Sequence, residues 1–173
     1  MEKKFIVKEA KKLEATLDHV IHAHYAASRL FRSLYLWLGI ITIVLSTIVG
    51  IAVSFKVDGV NTISDNNPWL ITILSGIIAL FSGIMTFMSP NDRAIMNLTS
   101  GNEYDDLKNK VRIFWYVECN KNVSNDELLK RLQYLTEQKG KIKSYAPQIP
   151  ILAYKMAKIN ARKIEYTSDF AKN

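Results

Sequence analysis

Two charge-free stretches decide what this chain can become. Between Arg32 and Lys56 the sequence holds no Asp, Glu, Lys, Arg or His, and between Asp65 and Asp92 it holds none either. The apolar runs inside them are Leu34–Phe55 and Trp69–Met88. As helices, each would reach roughly 30–34 Å, the thickness of a bilayer's hydrocarbon core. Buried helices of soluble proteins rarely run so long without a charge, so both runs are read as membrane-spanning helices. The polar link 56–67, KVDGVNTISDNN, has the Gly, Asn and Asp of an exposed turn. The expected fold is an all-α membrane protein, a two-helix transmembrane hairpin with N- and C-terminal cytoplasmic helices. A single domain over 1–173 is expected, with spans at 34–55 and 68–89.

The charges give an orientation. Residues 1–33 hold seven Lys/Arg against four Asp/Glu, and residues 89–173 hold fifteen against ten, whereas the link sets Lys56 against Asp58 and Asp65. Lys and Arg near membrane ends stay on the cytoplasmic side. Arg29 and Arg32 before the first span, and Arg93, Lys108 and Lys110 after the second, therefore put both termini in the cytoplasm and the link outside. The basic surplus suits anionic lipid headgroups. It is dispersed among acids, so no direct nucleic-acid binding is expected. The lone Cys119 fits a reducing compartment. The first span starts too deep and runs too long for a signal peptide.

Around the spans the periodicity is helical. In 3–33, Leu13, Leu17, Val20, Ile21, His24, Ala27, Leu30 and Phe31 recur at three- and four-residue steps, with no Gly or Pro, so this helix can run straight into the first span. Arg29 and Arg32 can snorkel at the boundary, beside Tyr35 and Trp37, and Trp69 marks the start of the second span. Past Ser89-Pro90, cytoplasmic helices are expected over 91–166. The first is capped by Asn91, starts near Asp92, is weakened at Gly101 and Asn102, and ends near Cys119. Ser124-Asn125-Asp126-Glu127 is a capping box that opens the next, which frays near Gly140. After Pro147 and Pro150 an amphipathic helix, about 151–166, can pack on the bundle or lie on the membrane surface. Residues 167–173 are expected to be loose.

Both spans carry small residues at helical spacing. In the first, Gly39, Thr42, Ser46, Gly50 and Ser54 share a face; in the second, Thr72, Ser75, Ala79, Ser82 and Thr86 form a stripe beside Gly76 and Gly83. Such faces let helices approach closely in lipid, or line a weakly polar conduit. Packing of one span on the other and contact between copies are both open. No Asp, Glu, Lys, Arg or His lies in either span, unlike ion pumps and proton-coupled transporters.

Catalytic and metal chemistry find no purchase. His19 and His22 share a face at i, i+3, while His24 points elsewhere, and no further ligands complete a metal site. Asp105-Asp106 and Asp126-Glu127 sit at solvated or capping positions. Tyr104, Leu107, Arg112, Trp115 and Tyr116 form an aromatic stretch suited to core or subunit contact. No phosphate-binding glycine loop or nucleophile motif occurs. No enzyme, cofactor or metal is expected.

His22-Ala23-His24-Tyr25-Ala26-Ala27, then Leu38-Gly39-Ile40 and Val44-Leu45-Ser46-Thr47-Ile48, then Phe87-Met88-Ser89-Pro90 followed by Ala94, Tyr104 and Leu107, together resemble the SLATT domain. This is a two-transmembrane effector family associated with bacterial nucleotide-signalling conflict systems. The likeness covers roughly residues 15–165. Family members often carry a histidine in the helix after the second span; Asn97 stands near that place here. The resemblance implies a homo-oligomeric pore in the bacterial inner membrane that permeabilises or depolarises it during antiphage defence. It further implies a companion sensor as trigger, a nucleotide second-messenger synthase or a reverse transcriptase, or its product. The other function expected of such a chain is a non-conducting anchor or scaffold that recruits a soluble partner.

Overall fold

The computed structural model describes residues 3–54, 68–121 and 123–158; the side chains of Ser54 and Pro68 are outside that description. So are the link 56–67, Phe55, and the tail from 159 onward, including the expected loose end 167–173. Among the described residues the regular elements are all helical, with no strand. They are α1 (Lys3–Ser54), α2 (Pro68–Met88), α3 (Pro90–Tyr116), a 3-10 turn (Glu118–Asn120), α4 (Asn125–Tyr145) and α5 (151–158). The chain divides into two compact units, one of residues 1–30 and 93–173, the other of residues 31–92.

The first unit is a helical bundle with a continuous seam. Ile6, Ala10, Leu13, Leu17 and Ile21 of α1 are buried with Tyr104, Leu107, Val111 and Phe114 of α3. Leu128, Leu135 and Ile142 of α4 complete the cluster. Steps of three, four and seven put each set on one stripe of its helix, the narrow seam of coiled-coil-like packing. Polar ties fix α1 against α3. Trp115 Nε1 donates to Glu14 at 2.7 Å, Lys108 Nζ to Asp18 at 2.6 Å, and the Tyr25 hydroxyl to Asn102 at 3.0 Å. Partners rise along α1 as they fall along α3, so the two run antiparallel. At the amino end Lys3 Nζ reaches the Lys121 carbonyl at 2.8 Å. α5 joins through alanines: Ala153 and Ala157 bury against Ala23, Ala26 and Ala27, with Ile149 packed beside them, a contact that lets the two backbones close up.

Several helix ends differ from those read in the sequence. α3 begins at Pro90 rather than near Asp92, because proline's fixed φ and missing N–H suit a first helical position. Ser89 makes the break, with a φ of 39°. α3 runs unbroken through Gly101, where a Cβ would stand 2.7 Å from the Tyr25 ring. The missing side chain is what lets that ring lie on the helix. α3 stops at Tyr116, where Asn120 Nδ2 takes the free carbonyl at 2.7 Å and Cys119 turns into the core. α4 starts as the capping box dictates: Ser124 is the N-cap, and its hydroxyl accepts from the Glu127 N–H at 3.3 Å. α4 then passes Gly140, which has open space around it, and ends at Tyr145.

The second unit holds residues 31–54 of α1, together with α2. Its large apolar side chains are mostly exposed, Phe87 and Ile43 among them.

Candidate membrane-spanning pair and its small-residue faces

α1 and α2 are each long and apolar enough to cross a membrane. In the most apolar window of α1 only 6% of the residues are buried within the chain, and in the second such window none are. A core helix of a soluble protein is mostly buried, and these two windows are not.

Each helix shields one stripe. On α1 it is Leu38, Gly39, Thr42, Leu45, Val49 and Ala52, and on α2 it is Ile71, Leu74, Ile78, Phe81 and Met85. A Cβ on Gly39 would lie 3.9 Å from Met85 Cε, ordinary contact across the pair. The residues singled out in the sequence fall into two groups against these stripes. Gly39 and Thr42 belong to the shielded face. Ser46 and Gly50 on α1, and Thr72, Ser75, Gly76, Ala79, Ser82 and Thr86 on α2, are exposed. Gly83 is partly shielded but has open space beside it, and so do Gly50 and Gly76. The Ser54 side chain lies outside the described residues.

A simple register links the two faces. Ser46 and Gly50 directly follow Leu45 and Val49. Thr72, Ser75, Ala79, Ser82 and Thr86 directly follow Ile71, Leu74, Ile78, Phe81 and Met85. One residue is about 100° of helix, so each small-residue stripe stands about a quarter-turn from the shielded face, in the same rotational sense. Three threonine hydroxyls in these helices turn inward to their own helix. Thr42 donates to the Leu38 carbonyl at 2.7 Å, Thr47 to Ile43 at 2.9 Å and Thr86 to Ser82 at 2.9 Å. The outward surface of these three residues is therefore methyl and backbone.

The anchors expected at the boundaries, Arg29, Arg32, Trp37 and Trp69, are all exposed. The shielded stripe itself was not legible in the sequence. Within an uninterrupted apolar run, a Leu that meets another helix and a Leu that meets lipid carry the same signal.

In the bundle, a buried polar cluster gathers residues distant in sequence. His24 is 2% and Asn97 1% exposed. His24 Nδ1 lies 3.0 Å from Asn97 Oδ1, and Asn97 Nδ2 donates to the Arg93 carbonyl at 2.8 Å. With its nitrogen so committed, Asn97 offers only its oxygen, and His24 must carry the proton on Nδ1. The imidazole stacks on Tyr104, centroids 5.5 Å apart. Burial holds the His24 pKa below its ordinary 6.5, against the opposing pull of the Asn97 bond. His22 instead lies on the bundle surface, 3.6 Å from Asp18. Asp18 is pushed up by burial, but its hydrogen bond and charge pairing with Lys108, aided by His22 and His19, hold it below the usual carboxylate range. Among the described residues no three His, Cys, Asp or Glu side chains gather as a metal site would require. The aromatic stretch divides: Tyr104 and Leu107 are core, Trp115 carries Lys11 4.6 Å over its ring, and Tyr116 is exposed.

Residues 20–95 match the model of a family described as Protein of unknown function (DUF4231). The matched segment contains both charge-free runs and the link between them. No curated protein and no solved structure matches the chain.

Proposed function

We propose that the chain spans a bacterial inner membrane twice as an antiparallel hairpin, with both termini cytoplasmic, and that its copies assemble into a pore. The observation that carries this reading is the register of the small residues. In an antiparallel pair, equal offsets in the same rotational sense bring both stripes to the same side of the pair. Each hairpin then presents one continuous face of Ser46, Gly50, Thr72, Ser75, Ala79, Ser82 and Thr86. Its other exposed surfaces are mostly bulky Ile, Leu and Val suited to lipid. Two spans cannot enclose a conduit, so several copies must surround it, meeting or lining it through that face. The absence of Asp, Glu, Lys, Arg and His in the spans suits an unselective, ungated-by-proton path better than a pump.

The resemblance to the SLATT family supports the biological setting: depolarisation of the membrane when a companion sensor, a nucleotide second-messenger synthase or a reverse transcriptase, detects infection. The test is a membrane-potential dye in cells expressing the chain with and without its neighbouring sensor. Depolarisation that appears with the trigger, and is lost in Ser75→Leu/Ala79→Leu/Ser82→Leu while membrane insertion persists, supports the pore. No depolarisation under any trigger overturns it. A leucine variant that still recruits a soluble partner, with a parent that never conducts, marks the scaffold instead.

A further inference from the structure

The outward face of α5 has no role in the pore, yet its chemistry is specific. Ala153 and Ala157 hold α5 to α1, and the residues about half a turn away from them are Ile151, Leu152, Lys155 and Lys158. Ile151 is 77% and Leu152 55% exposed, large apolar side chains left in the open beside two lysines that are also exposed. Tyr154 and Met156 flank them and are exposed as well. In sequence, the charge on either side of this helix has one sign. Between Glu137 and Glu165 the sequence carries seven Lys/Arg and no Asp or Glu. A soluble surface helix would interleave acids and would not keep a bare Ile and Leu at its first turn. Apolar residues with flanking lysines on one face, and alanines packed on the other, are the pattern of a helix lying in a headgroup layer.

We propose that the outward face of α5 docks on the anionic lipid surface of the membrane in which the chain is embedded. Ile151 and Leu152 enter the headgroup–acyl boundary, while Lys155 and Lys158 snorkel to lipid phosphates. The inference rests on the membrane-spanning reading but not on pore formation.

The test places a nitroxide on the full-length chain at Leu152→Cys, and separately at Ile73→Cys on an exposed apolar position of α2. Each is reconstituted in phosphatidylcholine bilayers with and without phosphatidylglycerol. Collisions with oxygen report lipid and collisions with a nickel chelate report water. The expected result is a label at 73 in lipid under both conditions, and a label at 152 that leaves water only when phosphatidylglycerol is present. Each lysine near an anionic surface contributes roughly fivefold to the partition, so Lys155→Glu/Lys158→Glu should return the 152 label to water. These outward substitutions leave the alanine contact intact, which unchanged helicity verifies. A 152 label equally open to nickel in both lipids, with 73 in lipid, overturns this inference alone. Shielding at 152 that follows the protein-to-lipid ratio and ignores phosphatidylglycerol also overturns it, in favour of a second copy as occupant. Both labels open to water overturns the membrane-spanning reading and this inference together.

Discussion

His24 shows how a polar residue at the upper end of a bundle can be structural. It is neutral because it is buried, and its Nδ1–H stays bonded to Asn97 in either charge state, so protonation brings a desolvated charge without a new partner. The sign of the pH effect follows. A histidine whose folded pKa is depressed takes up its proton more readily in the unfolded chain, so stability is full above 6.5 and falls as pH drops below it. We expect the melting temperature of the detergent-solubilised chain to decline between pH 7 and about pH 5, and to decline less in His24→Gln. A wild-type melt as flat as the variant's over that range would remove His24 from the account. Asp18 acts in a lower window. Its depressed pKa gives stability that is present above 3.8 and lost only as the acid side is approached, which keeps the two contributions separable.

Among the helices, the features legible in sequence were the local ones. A capping box needs four consecutive residues, and Ser124 to Glu127 supplied them. Charge-free length needs only counting, and it marked both apolar runs. What escaped were relations between segments. Asn97 and His24 lie 73 residues apart, and nothing in either neighbourhood announces the pair. Gly101 read as a weak point because its reason, the Tyr25 ring, sits on another helix. The small-residue stripe of α2 was visible because Ser, Thr and Ala stand out among Ile and Leu, whereas the face it adjoins was hidden by uniformity. That contrast supports a crosslinking experiment. Ala79 lies on the small-residue stripe, and Leu80, the next residue, points about 100° away and is exposed. With oxidant in membranes, Ala79→Cys should form dimers severalfold faster than Leu80→Cys. Equal rates at the two positions would mean that copies do not meet through the stripe.

Taken whole, the proposed topology puts residues on either side of the bilayer that chemistry can distinguish. In intact spheroplasts a membrane-impermeant maleimide should label Ser64→Cys in the link and spare Ser168→Cys in the tail until the membrane is opened. The reverse pattern would invert the orientation, and labelling of both from outside would dissolve the hairpin. The threonine hydroxyls described above carry a further consequence. Because Thr42, Thr47 and Thr86 already satisfy their own helices, these hydroxyls are tolerable in contact with acyl chains. On the proposed reading, single copies would wait dispersed in the bilayer, and only close packing, a modest and reversible force, would draw them together. If copies assemble as proposed, a cell holding such a protein would stay intact at low surface density and tip abruptly once crowding or a trigger raised it, and abundance would be the safety catch.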